Sequence, residues 1–422
     1  MDPTDLKSVP LGEASVTATP HEGLRNELAE LLDVVGPAQL GNVVLERAFE
    51  VNATDIHFDP TPSGLRIRMR VDGLLHDVAR LPMIKPSPLI QRLKVLAGMD
   101  ISERRHSQDG RISHQTMNGP RDIRVGSGPT LYGERLVLRL MPVGSAFDRL
   151  DGLGLENEEL SAVRRCLSAP YGLILLTGPM GSGKSTSVYS FLHEIHHPQN
   201  SIVTIEDPVE RRIDDICQIQ IEPKIGFHFV EALRCVLRQD PDVMMVGEIR
   251  DAETAQIACR SALSGVLVLS TLHAHNTAAA IDVLEDFGVP RVIIADCLRG
   301  IISQRLILQV CKQHREVYHP EEAVCQMLGI DPANAESVNL VRGIPADVNF
   351  HTGYSGRTGI FEIMEMNKDL RRAILRGESA SELMEIAQRN GMKTLHNSLR
   401  NKILSGVTSL DQFHAATLSF GD

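Results

Sequence analysis

A glycine-rich segment at residues 178–185 carries the clearest chemical signal in the chain. Its sequence, GPMGSGKS, fits the pattern G-x-x-x-x-G-K-[ST] in full, and an apolar run at 173–177 precedes it. Glycines let backbone N–H groups turn toward phosphate oxygens, and the N-terminus of a following helix adds a positive dipole. We therefore expect a nucleoside triphosphate to bind here, contacting Gly178, Pro179, Met180, Gly181, Ser182, Gly183, Lys184, Ser185 and Thr186.

Two side chains of this phosphate loop have separate expected roles. The ammonium group of Lys184 would reach the β- and γ-phosphates, and the hydroxyl of Ser185 would ligate Mg²⁺. The expected cofactors are therefore ATP and Mg²⁺.

Polar segments also follow three other apolar runs. Residues 206–210 (EDPVE), 247–251 (GEIRD) and 271–275 (TLHAH) come after the runs at 202–205, 243–246 and 266–270. Ligands of an open parallel sheet bind at the carboxyl ends of its strands, so these segments should face the phosphate loop. Each alone could be a helix cap or a solvated loop charge, and their coincidence at three strand ends favours function.

The residue types in these segments suit phosphoryl transfer. A carboxylate can orient the attacking water or hold Mg²⁺ through water, and a neutral imidazole can hydrogen-bond a γ-phosphate. We predict Glu206, Glu248 and His273 as catalytic residues. Gly247 stands where many nucleotidases have an aspartate, so Mg²⁺ would depend on Ser185 and the carboxylates of 206–210.

The elements around these motifs predict an α/β fold. Short, almost continuously apolar runs alternate with helical sequence after residue 170, which indicates a parallel sheet covered on both faces. Before residue 145 the apolar period changes to two, with a hairpin turn at Asp72-Gly73, which indicates a separate α+β domain. We expect helices at 24–35, 37–51, 292–308 and 369–404, the last two forming a C-terminal helical region.

This pattern divides the chain into three predicted segments. Residues 1–37 are expected to be a flexible leader with one short helix, 38–148 a mixed α+β domain, and 149–422 the ATPase domain.

Composition excludes several classes of protein. The 422 residues include 43 Lys and Arg against 54 Asp and Glu, a net charge of −11, so the whole-chain basic footprint of a nucleic-acid binder is absent. Seven scattered cysteines favour a reducing compartment. The sequence has neither a run of about 18 apolar residues nor a signal peptide, and we expect a soluble, cytoplasmic protein.

The motifs together resemble a known family, the secretion ATPases of type II secretion and type IV pilus assembly. Four signatures occur in that family's order: GPMGSGKST, TIEDPVE, MMVGEIRD and STLHAHN. Earlier segments (NATDIHFDP, RIRMRVDGLL, QDGRIS) and later ones (ISQRL, TGYSGRTGIFEIM) are similar too. The resemblance covers residues 38–410 and identifies the chain as a member of the assembly-type branch.

The resemblance implies a homohexameric ring with a RecA-like core, in which hydrolysis moves the mixed domain of one subunit against the core of the next. It implies an inner-membrane platform protein as partner, peripheral association with that membrane, and no nucleic acid. Arginines of the mixed domain reach the phosphates in this family, so the resemblance implies that Arg111 and Arg124, at the matching positions, are catalytic. Arg139 also matches, but a solvated strand face explains it equally well. The row Arg66, Arg68 and Arg70 is expected to be a solvated or inter-subunit face.

The chain departs from the family at its zinc motif. Two C-x-x-C pairs are usual, but here the first is Cys311-x-x-His314 and the second has become Ala346 and Asn349. Cys325 and His351 are at the wrong spacing for a closed site, so we expect no zinc. The insertion that carries the motif, residues 311–350, remains, and this favours the assembly-type branch. His275 also stands where the family usually has asparagine.

Two other functions stay open at this point: a type IV secretion or conjugation ATPase, and an ATP-binding regulatory scaffold with weak hydrolysis. The acidic segment TIEDPVE and the insertion favour the pilus or pseudopilus motor over the first. The presence of Lys184, Ser185, Glu206 and Glu248 disfavours the second.

Overall fold

The computed structural model describes residues 20–34, 36–82, 88–116, 119–141 and 149–420. It divides the chain into two compact units. Unit 1 comprises Met1–Val143 and Gly343–Tyr354, and unit 2 comprises Gly144–Arg342 and Ser355–Asp422. Most of the expected leader, residues 1–19, lies outside the described residues.

Unit 1 is built on a six-stranded antiparallel sheet. Its strands are β1 (Asp55–Thr61), β2 (Gly64–Val71), β3 (Leu74–Pro82), β4 (Gln108–Thr116), β5 (Gly119–Thr130) and β6 (Gly133–Leu140), in the order β3-β2-β1-β6-β5-β4. On β2 the apolar residues are buried and the alternating arginines face the other side. Arg66 pairs with Asp77, and Arg68 pairs with Asp59 at 2.7 Å. The predicted arginine row is thus a face of cross-strand ion pairs.

Three helices cover the sheet of unit 1. They are α1 (Pro20–Val34), α2 (Pro37–Glu50) and α3 (Pro88–Leu96). Leu24 and Leu28 of α1 are buried in the same apolar cluster as Ile56 and Phe58 of β1. The sequence predicts this helix as part of a flexible leader, whereas its apolar face belongs to the unit 1 core.

A short segment from the predicted insertion also belongs to unit 1. Residues 343–354 contain a 3₁₀ turn, Asp347–Asn349, that contacts α1. Phe350 packs against the unit 1 core, with its ring centroid 4.7 Å from that of His76. At the base of the segment a Cβ on Gly343 would lie 2.0 Å from the Gly353 carbonyl oxygen, so only glycine fits there. The predicted domain boundaries place this segment in the ATPase domain, whereas the structure places it in unit 1.

Unit 2 contains a seven-stranded sheet. Its strands are β7 (Gly172–Thr177), β8 (Ile202–Glu206), β9 (Cys217–Gln220), β10 (Val243–Val246), β11 (Leu267–Leu272), β12 (Leu298–Val310) and β15 (Tyr354–Glu365), in the order β15-β12-β7-β11-β10-β8-β9. The strands β13 (Arg315–Tyr318) and β14 (Leu340–Gly343) form a separate two-stranded sheet. The four predicted strands are all present, and they pair in parallel.

Helices lie against both faces of this sheet. The helices of unit 2 are α4 (Asn157–Leu167), α5 (Lys184–Ile195), α6 (Phe229–Val236), α7 (Ala252–Leu263), α8 (Ala279–Asp286), α9 (Arg291–Cys297), α10 (Glu322–Met327), α11 (Lys368–Arg376), α12 (Ala380–Arg389), α13 (Leu395–Leu404) and α14 (Leu410–Phe420). On β7, Leu173 and Leu175 enter one apolar cluster, and Ile174 and Leu176 enter the other. Burial on both faces explains why this strand is apolar without alternation.

One predicted helix is wrong. The helix expected at 292–308 ends at Cys297, and the chain continues as the long strand β12. A strand buried on both faces has a continuous apolar sequence, which periodicity cannot distinguish from a buried helix. Within the described residues, no helix is both long and apolar enough to cross a membrane.

Candidate active site

The phosphate loop lies between β7 and α5, as its sequence predicts. Its glycines adopt backbone conformations that other residues rarely take, with φ of 146° at Gly178 and 89° at Gly183. A Cβ on Gly178 would lie 2.6 Å from the carbonyl oxygen of Gln304, and one on Gly183 would lie 2.8 Å from Nε2 of the same residue. The loop is therefore held against β12 at both ends in a shape that requires glycine.

Lys184 is a buried cation folded back onto this loop. Its Nζ donates to the carbonyl oxygens of Gly178 at 2.7 Å and Pro179 at 3.0 Å. Burial, and then the nearby Arg305, lower the pKa of Lys184 to about 8. Within the described residues it forms no ion pair with a carboxylate. A buried positive charge without a counter-ion favours the binding of an anion.

The residues around the loop fit a bound polyanion and its cation. The hydroxyl oxygens of Thr177 and Ser182 are buried and, among the described residues, have no hydrogen-bond partner. Such hydroxyls are donors that phosphate oxygens would satisfy. Mg²⁺ prefers oxygen ligands, and the hydroxyl of Ser185 would supply one.

The strand ends bring Glu248 and His273 together. Parallel pairing places Ile205, Val246 and Ser270 side by side at the ends of β8, β10 and β11. Beyond these ends, His273 Nε2 lies 3.6 Å from Glu248 Oε2. Two of the three catalytic side chains predicted at the strand ends therefore lie in one cluster.

Arg250, which is not among the predicted site residues, joins the same cluster. Its guanidinium contacts the Glu248 carboxylate and lies 3.7 Å from Oδ2 of Asp207. It therefore connects the segment after β10 with the acidic segment after β8. The signal was present, since Arg250 lies within the GEIRD motif, but spacing alone did not show that it would pair with Glu248.

The imidazole of His273 is kept neutral by its surroundings. Burial lowers its pKa first, and the positive charges of Lys184 and Arg250 lower it further, while a hydrogen bond with the Gly178 backbone acts in the opposite direction. A neutral imidazole can both donate and accept a hydrogen bond. The contact with Gly178 also places His273 beside the phosphate loop.

Glu206, the third predicted catalytic residue, is buried and its carboxylate is occupied. It accepts hydrogen bonds from the hydroxyl of Tyr189, from Thr204 Oγ1 at 2.6 Å and from Gln218 Nε2 at 3.1 Å. The Tyr189 hydroxyl also accepts from the backbone N–H groups of Glu210 and Arg211. In this arrangement Glu206 holds the acidic loop against the helix α5, and a catalytic role for it stays a prediction.

The predicted arginines belong to unit 1. Arg111 on β4 is opposite Arg124 on β5, and Arg124 is opposite Arg139 on β6, so the three form a row across neighbouring strands. Arg111 is exposed and lies 3.7 Å from Asp122, and Arg139 lies 3.2 Å from Asp55. The phosphate loop, by contrast, belongs to unit 2.

The remnants of the zinc motif do not converge. Cys311 and Cys325 are both buried, and the Cys325 thiol lies 3.9 Å from the carbonyl oxygen of Pro320. In the described part of the chain, one group of three potential metal ligands exists, formed by Glu22, Asp347 and His351, and it includes no cysteine. His351 thus pairs with Asp347 in unit 1 instead of joining Cys325.

The sequence matches the family described as "Type II/IV secretion system protein" over residues 35–415. A relative named "Type IV pilus assembly ATPase PilB", from Thermus thermophilus, is 40% identical over 89% of this chain and 42% of its own length. "Type II secretion system protein E" from Xanthomonas campestris is 37% identical over 95% of this chain and 71% of the relative. The chain spans less than half of the Thermus relative and about seven-tenths of the Xanthomonas one.

Solved structures agree on the fold. The pilus retraction motor PilT with bound ADP is 25% identical, with a TM-score of 0.63 over 89% of this chain and 96% of that one. The Legionella pneumophila ATPase DotB has a TM-score of 0.66 over 89% of this chain and 94% of that one, at 21% identity, which shows the fold alone. These likenesses confirm the predicted fold class, a P-loop α/β core with a preceding α+β domain.

Proposed function

The chain belongs to the type II/IV secretion system protein family, and from that premise we propose that it is a motor ATPase. It would hydrolyse ATP to drive assembly of a pseudopilus or a type IV pilus. The observation that carries this proposal is the convergence of Glu248 and His273 beside an intact phosphate loop, whose buried Lys184 has no carboxylate partner among the described residues.

The site residues divide the reaction among them. Lys184 and the loop N–H groups would hold the β- and γ-phosphates, and Ser185 would hold Mg²⁺, which supplies charge neutralisation on the phosphate oxygens. Glu248 would orient the attacking water and accept its proton as the water oxygen bonds to the γ-phosphorus and the bond to the ADP oxygen breaks. His273 would donate a hydrogen bond to the γ-phosphate and lose that contact after hydrolysis.

Other residues would position this site. Arg250 would hold the Glu248 carboxylate in place before the water is bound, because its guanidinium contacts that carboxylate directly. Glu206 would act in the same reaction by holding the acidic loop, since Tyr189 connects it to the backbone of that loop.

The motor itself would be a homohexamer. Arg111 and Arg124 of unit 1 would add positive charge to the nucleotide of a site formed with another subunit, so that hydrolysis moves unit 1. The partners would be an inner-membrane platform protein and other assembly components, with the chain held at the cytoplasmic face of that membrane. The names of the relatives, which refer to type IV pilus assembly and type II secretion, favour a pilus or pseudopilus motor over a conjugation ATPase.

The test is phosphate release by the purified chain, compared with Lys184→Ala. The variant removes the only cationic side chain of the phosphate loop, and we expect hydrolysis to fall to background with the fold retained by circular dichroism. The matched control is Lys224→Ala, an exposed lysine of the same unit, which should leave turnover unchanged. Turnover of Lys184→Ala equal to wild type would refute the proposal.

A further inference from the structure

The strand β12 brings two consecutive polar side chains beside the phosphate loop. In its parallel pairing with β7, Ser303 is opposite Thr177, the last residue before the loop. Gln304 and Arg305 therefore lie next to the start of the loop, and both are buried. Consecutive residues of a strand point to opposite faces of the sheet, so these two side chains contact different elements.

Gln304 holds the phosphate loop from the α5 side. Its Oε1 accepts a hydrogen bond of 2.7 Å from the hydroxyl of Ser187, in the first turn of α5. Its Nε2 packs against Gly183 and its carbonyl oxygen against Gly178, each too close for a Cβ. One residue therefore fixes both ends of the loop and the helix that follows it.

Arg305 reaches the histidine loop, residues 273–276. Its Nη2 donates to the carbonyl oxygen of His275 at 2.6 Å, and its Nη1 donates to the carbonyl oxygen of Gln304 at 3.0 Å. The same Nη1 lies 3.1 Å from the position that a Cβ on Gly178 would take. A single guanidinium thus touches the first residue of the phosphate loop and the backbone of the histidine loop.

This guanidinium is poorly compensated. In the described residues its Nε is buried without a hydrogen-bond partner, and the buried carboxylate of Glu362 offsets its charge only in part. Arg305 and Lys184 are close enough to repel each other. Phosphates in the loop would offset this repulsion, because an anion between or beside two buried cations is attracted to both. Occupation of the loop therefore changes the force on Arg305 and on the carbonyl it holds.

We infer that Gln304 and Arg305 are positioning residues that couple phosphate occupancy of the loop to the placement of the histidine loop, which carries His273. The inference rests on the proposed nucleotide site and adds how its two loops communicate. Neither side chain is assigned to the chemical step. A ligand shifts the position of a loop only if its contacts differ between the empty and the occupied site. The contacts of Arg305 supply that difference.

Hydrogen exchange measured with Mg²⁺ and a non-hydrolysable ATP analogue tests the coupling. In wild type we expect the analogue to slow exchange in both the phosphate loop and the histidine loop. In Arg305→Gln, the phosphate loop should stay protected while the histidine loop loses its protection. The same variant should lower kcat on the order of 10- to 100-fold, the scale of a lost hydrogen bond to a charged group, with KM changed far less.

Two further variants make the result decisive. Arg299→Gln is the matched control: Arg299 lies near the start of the same strand and donates to the carbonyl oxygens of Tyr171 and Asp296, each at 2.9 Å. It should leave both protections intact. Arg305→Lys keeps the charge but lacks the planar fork that reaches two carbonyls, so it should recover part of the histidine-loop protection. If Arg305→Gln does not fold, Arg305→Lys serves as the test variant in its place.

The outcomes separate the two claims. Suppose that the analogue protects the phosphate loop in wild type. If the histidine loop of Arg305→Gln or Arg305→Lys is then as well protected as in wild type, the coupling is overturned and the nucleotide site is not. Absence of any protection of the phosphate loop in wild type would overturn the proposed nucleotide site, and the coupling with it.

Discussion

The two clusters of basic residues in this chain differ in how their charges are compensated. In unit 2, Lys184 and Arg305 are buried beside the phosphate loop; among the described residues Lys184 forms no ion pair with a carboxylate, and Glu362 offsets the charge of Arg305 only in part. In unit 1, Arg111 and Arg139 are exposed and already pair with Asp122 and Asp55. Buried, uncompensated charge is preorganised for an anion, whereas exposed ion pairs contribute little until another surface excludes water. In the proposed function, unit 2 would therefore bind the nucleotide, and the arginines of unit 1 would act only within an assembly.

The largest effect that would test this difference comes from Arg111→Ala. If Arg111 stabilises the transition state across an interface, its loss should leave nucleotide binding unchanged and lower hydrolysis by about 10²–10³-fold. Phosphate release and nucleotide affinity are measured on the same preparation.

Mixing experiments show which subunit Arg111 serves. Arg111→Ala chains combined with Glu248→Gln chains should recover activity if the arginine acts on a neighbour, because some interfaces then contain both intact groups. No recovery in rings shown to be mixed would contradict action between subunits.

A second prediction concerns pH and the buried cation of unit 2. Lys184 has a pKa of about 8, below its usual value, so it loses its proton as pH rises through that value while exposed lysines stay charged. Nucleotide affinity should therefore fall above pH 8, by up to about tenfold per pH unit, since each binding event then requires uptake of one proton. Affinity for Mg²⁺-ADP that stays flat between about pH 7 and pH 9 would contradict the assignment.

A smaller effect, on stability, is expected from removing the Tyr189 hydroxyl, which donates a hydrogen bond to Glu206. Tyr189→Phe leaves the buried carboxylate with two side-chain donors and deprives the N–H groups of Glu210 and Arg211 of their acceptor. The free energy of unfolding should fall by about 1–3 kcal/mol, the cost of unsatisfied buried groups. Thermal denaturation measures it, and Tyr171→Phe is the control, because Tyr171 is exposed and stacks under Arg299. Equal melting temperatures for the two variants would show that Tyr189 does not hold this loop.

The smallest effect is expected from removing metal from the chain, because residues 311–350 keep only part of the family's zinc motif. Elemental analysis should show well under one zinc per chain, and a chelator should leave the melting temperature unchanged, because Cys311 and Cys325 lie outside the one group of potential ligands in the described residues. Stoichiometric zinc would contradict this. His351→Ala would then show whether Glu22, Asp347 and His351 bind it.

The sequence was sufficient where the signal is local. The phosphate loop, the four parallel strands and the meeting of Glu248 with His273 all follow from residues adjacent in the chain or from the rule that parallel strands share one carboxyl edge. The alternation on β2 likewise predicted its buried face. These features need no knowledge of which distant segments pack together.

The features that the sequence did not predict depend on distant contacts. Gln304 meets Ser187, 117 residues earlier, only because β12 lies beside β7. The helix predicted over that strand hid this contact, since a fully buried strand has no period to read. The sequence also does not predict that Tyr189 and Gln218, from two other elements, donate hydrogen bonds to the Glu206 carboxylate.

The most direct test of the account is to separate nucleotide binding from hydrolysis in Glu248→Gln. The substitution keeps size and hydrogen bonding and removes the carboxylate that would accept the proton of the attacking water. Measured together on one preparation, ATP affinity should stay within about threefold of wild type while kcat falls by about 10²-fold or more. A wild-type kcat would contradict the role of Glu248, and an equal loss of affinity and turnover would make it a metal or structural ligand instead of the residue that activates water.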